Sequence, residues 1–166
     1  MNRGISASTT KSWVNDYLTG AISAFQSSGV EVVSIMLGTN DSKVAENISV
    51  DDYKTNLETI ITQLKTADIK KIILNEPPYI VSTGQWDTTS LSKMIGYIAA
   101  IDELVDGETV LSGDSQAYAY FEANQTELPD NIHPNVSGHE HLGTFRATAI
   151  KSALVYQTNP AHHFLN

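Results

Sequence analysis

The chain has 166 residues and a mass of 18.1 kDa, the size of one domain with a continuous core, and its composition, 41% hydrophobic and 17% charged, is globular rather than disordered. A formal net charge of −9 and a pI of about 4.8 set it against phosphate backbones and anionic lipid surfaces, so no nucleic acid and no membrane is expected among its partners. Without cysteine it has no disulfide framework, thiolate zinc site or thiol nucleophile, and no apolar run is long enough to span a bilayer.

Residues 1 to 9 read as a glycine turn running into small hydroxyl residues, and Met1-Asn-Arg-Gly-Ile-Ser lacks the apolar core of a signal peptide. Trp13, Tyr17, Leu18, Ala21, Ile22 and Phe25 then recur at helical spacing, which predicts a helix from Thr10, capped by Thr9 or Thr10 and ended by Ser27, Ser28 and Gly29. Val30 to Leu37 is β-branched and mostly apolar, the pattern of a strand buried on both faces. Gly38-Thr-Asn-Asp41 follows at its carboxyl end. Ser49, with Asp52 in the place of the usual Glu of a capping box, opens a second helix carrying Tyr53, Leu57, Ile60, Ile61 and Leu64 on one stripe.

Lys70 to Leu74 is the next predicted strand, ended by Asn75-Glu-Pro-Pro78. A loop with Trp86 leads to a third helix whose apolar positions are Leu91, Met94, Ile95, Ile98, Ile101 and Leu104. Thr109 to Leu111 is a short third strand. A last helix begins near Ser137 with Leu142, Phe145, Ile150 and Leu154, and residues 157 to 166 read as a tail. Strands alternating with helices predict an α/β fold, a doubly wound, flavodoxin-like parallel sheet in a three-layer α/β/α sandwich, as one domain over residues 1 to 156. In such sheets ligands bind beyond the carboxyl ends of the strands, where Gly38 to Asp41, Pro77, Pro78 and the stretch from Asp130 to His133 all fall.

That last stretch, Asp130-Asn-Ile-His133-Pro, carries the strongest chemical signal. An acid three residues before a histidine can fold its carboxylate back onto one imidazole nitrogen, fixing the tautomer and leaving the other nitrogen free to take a proton. Alone, the pair is a weak signal that arises by chance, and the simpler reading is a capped loop before a helix.

Taken in order, Asn2-Arg-Gly4-Ile-Ser, Leu37-Gly-Thr-Asn40-Asp and Asp130-Asn-Ile-His133-Pro resemble three blocks of the SGNH, or GDSL-type, hydrolase family, over residues 2 to 155. The resemblance implies a serine ester hydrolase working without metal or cofactor on a small acyl ester or an O-acetylated glycan. It implies roles as well: His133 as general base, Asp130 as its orienter, and the Gly4 backbone N–H with the Asn40 side-chain amide as donors to the oxyanion. Donors of that kind can each be worth ~3 kcal/mol to the transition state. Asp41 would buttress the Asn40 turn.

In that family the nucleophile lies in a Gly-Asp-Ser block after the first strand, ahead of the glycine block. Here that strand, its serine and the second strand are expected upstream of Met1, so the fold should lack its first strands. A Gly-Asp-Ser does occur at 113 to 115, but it precedes Asp130, where a circularly permuted chain would place it after the last helix; Ser115 therefore reads as an ordinary strand-end residue. Loss of the first strand should expose the edge of the strand from Val30 to Leu37. The chain is then expected to be completed by an N-terminal segment or a partner chain, or to form a homo-oligomer. The alternative function is a non-catalytic binding or structural module that keeps the pocket.

His139 and His141 face different ways on the last helix and read as surface residues rather than metal ligands, and His162 and His163 as solvated tail residues. Trp86 could line a pocket or pack over the core.

Overall fold

The computed structural model describes residues 1–46 and 48–156; His162, His163 and the predicted tail lie outside them. Thr9 caps the first helix reciprocally with Ser12: its hydroxyl accepts the Ser12 N–H at 3.1 Å and its own N–H donates to the Ser12 hydroxyl at 2.9 Å. That helix runs as α1 (Thr10–Ser12), a π-helical stretch (Trp13–Tyr17) and α2 (Leu18–Ser27). Strand β1 (Val32–Met36) follows, then α3 (Val50–Thr66), β2 (Lys71–Asn75), α4 (Thr88–Leu104) and β3 (Val110–Ser112). A short α5 (Ala117–Ala123), a 3-10 turn (Gln125–Glu127) and α6 (Val136–Tyr156) complete the order.

The three strands form one parallel sheet in the order β1-β2-β3, with Val32 opposite Lys71 and Ile72 opposite Val110. Sequential parallel strands joined by helices give the crossover topology that the alternation predicts, and the fold is the three-layer α/β/α arrangement. One core, beneath α2, α3 and α4, holds Leu18, Phe25, Tyr53, Leu64, Met94 and Tyr97 among others. Tyr53 and Tyr97 stack there with ring centroids 4.1 Å apart, their hydroxyls donating to the Leu37 and Ile48 carbonyls at 3.0 and 2.8 Å. A smaller cluster of Tyr79, Ala117, Phe121, Leu128 and Leu142 ties α5 and α6 together.

Several expectations need correction. Ser49 does cap α3, but the Asp52 carboxylate accepts from the Ser49 hydroxyl at 2.7 Å rather than from the Ser49 backbone. Ile95 is 59% exposed; Tyr97 and Ala100 take the core positions on α4, because the buried stripe follows Met94, Tyr97 and Ile101. Helix α5 is not foreseen from the sequence, because seven residues are too few to show helical periodicity. Trp86 is buried and its indole N–H donates to the Thr39 carbonyl at 2.7 Å, so it packs and braces the turn after β1.

Candidate active site

The turn from Asp130 to His133 is organised by its own carboxylate. Asp130 Oδ1 accepts the backbone N–H of Ile132 at 3.0 Å and of His133 at 2.6 Å, and Oδ2 lies 2.7 Å from His133 Nδ1. These bonds, led by the His133 N–H, pull the Asp130 carboxyl down to about 2. Asn131, at φ 72°, makes the left-handed corner that asparagine tolerates, and its carbonyl accepts the Val81 N–H at 2.8 Å. The ring is 77% exposed, and among the described residues nothing bonds to its Nε2. A carboxylate-oriented imidazole with an open Nε2 is chemically a base awaiting a proton donor.

A second network, which the sequence did not signal, holds this turn against α5 and α6. The Asn135 N–H donates to the Glu127 carbonyl at 2.8 Å, while the Glu127 carboxylate accepts from the Tyr120 and Ser137 hydroxyls, both at 3.2 Å. His141 Nδ1 lies 2.7 Å from the Tyr120 hydroxyl and 3.3 Å from Glu127, so this histidine braces the turn rather than standing free on the surface.

The loop after β1 meets the amino-terminal turn. Gly38 has φ 125°, and a Cβ there would lie 3.2 Å from Pro77 Cγ, so the chain turns where only glycine fits without strain. Asn40 Nδ2 donates to the Ser8 carbonyl at 3.1 Å, using one of its two amide hydrogens. Asp41 is buried, its Oδ1 accepting both the N–H, at 2.9 Å, and the hydroxyl of Thr10; burial raises its pKa against those bonds. Asn56 Nδ2 donates to the same hydroxyl at 3.1 Å. The Asp41 carboxyl thus fastens the Asn40 turn to the start of α1.

Gly4 and Ala7 differ in what their N–H groups do. The Gly4 N–H donates to Asn2 Oδ1 at 2.9 Å. Ala7 sits at φ 60°, a conformation that costs about 1 kcal/mol for a residue with a Cβ, and among the described residues its N–H bonds to nothing. A strained alanine with a free N–H just after the glycine block is a feature that the sequence alone could not separate from its neighbours.

A groove of about 760 Å³ runs along the outer edge of β1, and Gly4, Ala7, Asn40 and His133 all line it. The structure therefore brings three of the four expected site residues, Gly4, Asn40 and His133, to one groove, with Asp130 bonded to His133 Nδ1. Ser115 is exposed after β3 and does not line the groove. Among the described residues no cluster of three or more histidines and carboxylates is arranged to hold a metal ion, and no helix is long and apolar enough to cross a membrane.

The fold has solved counterparts. A catalytic mutant of Axe2, an acetylxylan esterase from Geobacillus stearothermophilus, is 23% identical, with a TM-score of 0.71 over 90% of this chain and 71% of that one. A carbohydrate esterase family 3 protein from Talaromyces cellulolyticus is 19% identical, with a TM-score of 0.63 over 93% of this chain and 70% of that one. Among curated proteins none matches the sequence. The model of the GDSL-like Lipase/Acylhydrolase family matches residues 1–141, which takes in the amino-terminal glycine turn, the Asn40 turn and the Asp130–His133 clasp. With that match spanning most of its length, the chain belongs to the GDSL-like lipase/acylhydrolase family.

Proposed function

We propose that the protein is an ester hydrolase acting on small acyl esters, O-acetylated carbohydrate among them, and that this chain carries its base and its oxyanion donors. The observation that carries the reading is the 2.7 Å contact of Asp130 with His133 Nδ1, which leaves Nε2 open beside a groove that Asn40 also lines. A serine hydroxyl in that groove would give its proton to Nε2 as its oxygen attacks the ester carbonyl. The imidazolium, held by Asp130, would then return the proton to the departing alcohol, and water would release the acyl group by the same path. The second Asn40 amide hydrogen and a backbone N–H of the glycine turn would receive the negative charge on the carbonyl oxygen. Gly4 is the donor expected from sequence; since its N–H is held by Asn2, we assign that part to Ala7.

The nucleophile is the serine of a segment seated against the open edge of β1. Two things support this: the groove runs along that edge to His133, and the acetylxylan esterase and carbohydrate esterase counterparts are longer chains, of which this one covers 71% and 70%. Their names also support acetylated carbohydrate as the substrate class.

Fluorophosphonate labelling of the native protein, followed by peptide mapping, tests the reading. One serine should be labelled, and His133→Ala should slow both labelling and hydrolysis of an acetyl ester by about four orders of magnitude with the fold intact. Undiminished labelling in that variant would sink the assignment. The alternative is a non-catalytic module that binds glycan in the same groove; no labelled serine, with acetylated oligosaccharide still bound, would select it.

A further inference from the structure

The Asn40 turn and the Asp130–His133 turn are far apart in sequence, and one loop is bonded to both. It follows β2 and runs from Glu76 to Asp87, the residue that caps α4. On the Asn40 side the Trp86 indole N–H donates to the Thr39 carbonyl at 2.7 Å, the Gln85 carbonyl accepts the Val44 N–H at 3.0 Å, and Pro77 packs against Gly38. On the His133 side the Val81 N–H donates to the Asn131 carbonyl at 2.8 Å. Among the described residues none of this loop lines the groove, so any effect it has on the site passes through the two turns.

Each of those two carbonyls belongs to a peptide plane whose other end lies in the site. A peptide unit is planar, so a bond to its carbonyl also fixes the following N–H and Cα. The plane held by Trp86 joins Thr39 to Asn40 and sets where the Asn40 side chain starts. The plane held by Val81 joins Asn131 to Ile132, whose N–H donates to Asp130 Oδ1 at 3.0 Å, and Asp130 holds the His133 ring.

Between these grips the loop is closed on itself. Thr83 and Trp86 exchange both backbone bonds, at 2.6 and 2.7 Å, around a turn in which Gly84 has φ 43°, and the Ser82 hydroxyl donates to the Trp86 carbonyl at 3.3 Å. Ile80 and Trp86 are buried in the main core and Tyr79 in the smaller cluster. A loop so anchored opens with its surroundings rather than as a free flap.

We propose that this loop fixes the spacing between the Asn40 amide and the His133 ring, and that Trp86 is its positioning residue on the Asn40 side. This rests on the reading above that Asn40 receives the oxyanion and His133 is the base, and names what holds the two in register. Such groups must be held within about 0.5 Å of the productive geometry to act together. Trp86 acts through Thr39 and Asn40, not on the ester.

Trp86→Phe keeps an aromatic ring in the core and removes the N–H. In the native protein it should lower kcat for an acetyl ester about tenfold and leave KM within about twofold, because the Asn40 amide is engaged in the transition state. Asn40→Ala should itself lose about a hundredfold or more, and in that background Trp86→Phe should cost less than about twofold, since the group it positions is gone. A second readout needs no activity. In the 166-residue chain, followed by NMR, Trp86→Phe should speed hydrogen exchange of the Val81 N–H about tenfold while the β2 amides stay protected, although Val81 bonds to Asn131 and not to Thr39. If Trp86→Phe does not fold, the benzothiophene analogue of tryptophan at position 86, which keeps the bicyclic ring without the donor, takes its place.

An equal loss of kcat in both backgrounds makes Trp86 a packing residue only and overturns the proposal. Full activity in Trp86→Phe overturns it as well, and so does a raised KM with kcat unchanged. Val81 exchange that does not respond, or that speeds up together with the β2 amides, breaks the specific link between the two turns and overturns it too. If the unmodified native protein hydrolyses no ester while Val81 alone responds, the esterase reading falls and the spacing of the two turns stands.

Discussion

Strands β1 and β2 lie side by side in one sheet, in register over five residues, and are opposites in burial. Ile72, Ile73 and Leu74 of β2 are at most 2% exposed, whereas β1 contains no buried residue and its Val32 is 39% exposed. Composition does not explain this, because Val-Val-Ser-Ile-Met is at least as apolar as Lys-Ile-Ile-Leu-Asn. Surroundings do: all five β1 residues line the open groove, whereas β2 lies between two strands and β3, also paired on one edge, keeps Val110 and Leu111 buried. A strand with the sequence of a sheet interior placed at a sheet edge has a use for another strand, and the groove beside it is where that strand would go.

The comparison can be broken most directly by truncating equivalent side chains. Ile73→Ala, at a site with no exposure, should cost about 3 kcal/mol in urea unfolding, and Ile35→Ala, partly exposed on β1, about 1 kcal/mol. Occupancy of the groove should raise the cost of the second variant toward that of the first. Equal costs in the unoccupied chain would mean that β1 is packed as well as β2.

A sharper probe is Asn75, at the carboxyl end of β2 and 2% exposed. Its Nδ2 donates to the Ser34 hydroxyl and the Ile35 carbonyl, both at 2.8 Å, and its Oδ1 accepts the Asp114 N–H at 3.0 Å. One amide thus fastens the ends of all three strands. Asn75→Ala strands those partners and should cost about 2 kcal/mol. Hydrogen exchange should show the β1 amides loosening before those of β2, since β1 has no second neighbour to hold it. Uniform loosening would argue that β1 is anchored elsewhere.

The sequence made the alternation of elements legible because helical stripes such as Tyr53, Leu57 and Ile61 and the strand run at Ile72 to Leu74 are local patterns. It also displayed the Asp130–His133 clasp, whose bonds span only three residues. What stayed hidden depends on contacts distant in sequence. Glu127 and Tyr120 brace the Asp130–His133 turn across α5 and α6, and Ala7 is distinguished by a backbone angle that its side chain gives no reason to expect. Ile95 of α4 is exposed although its neighbours are core, because the sequence of an aliphatic residue beside the buried stripe does not differ from that of one within it.

The smallest expected effect concerns Glu76, just beyond β2. Burial, with Asp102 and Asp114 adding negative charge, pushes its carboxyl from the ordinary 4.5 up to about 7. Between those values the folded protein keeps a proton that the unfolded chain releases, so stability falls as pH rises from about 4.5 to about 7 and is level above. Glu76→Gln should remove that slope and, with the group only half-buried and screened by solvent, gain about 1 kcal/mol at pH 8. Urea unfolding of both proteins across that range measures it, and an unchanged slope in the variant would place the titration on another group. Because this effect belongs to the end of β2, a peptide seated along β1 should stabilise both proteins alike. If the peptide instead stabilises them unequally, filling the groove changes the surroundings of Glu76, and the two strands respond to the segment as one unit.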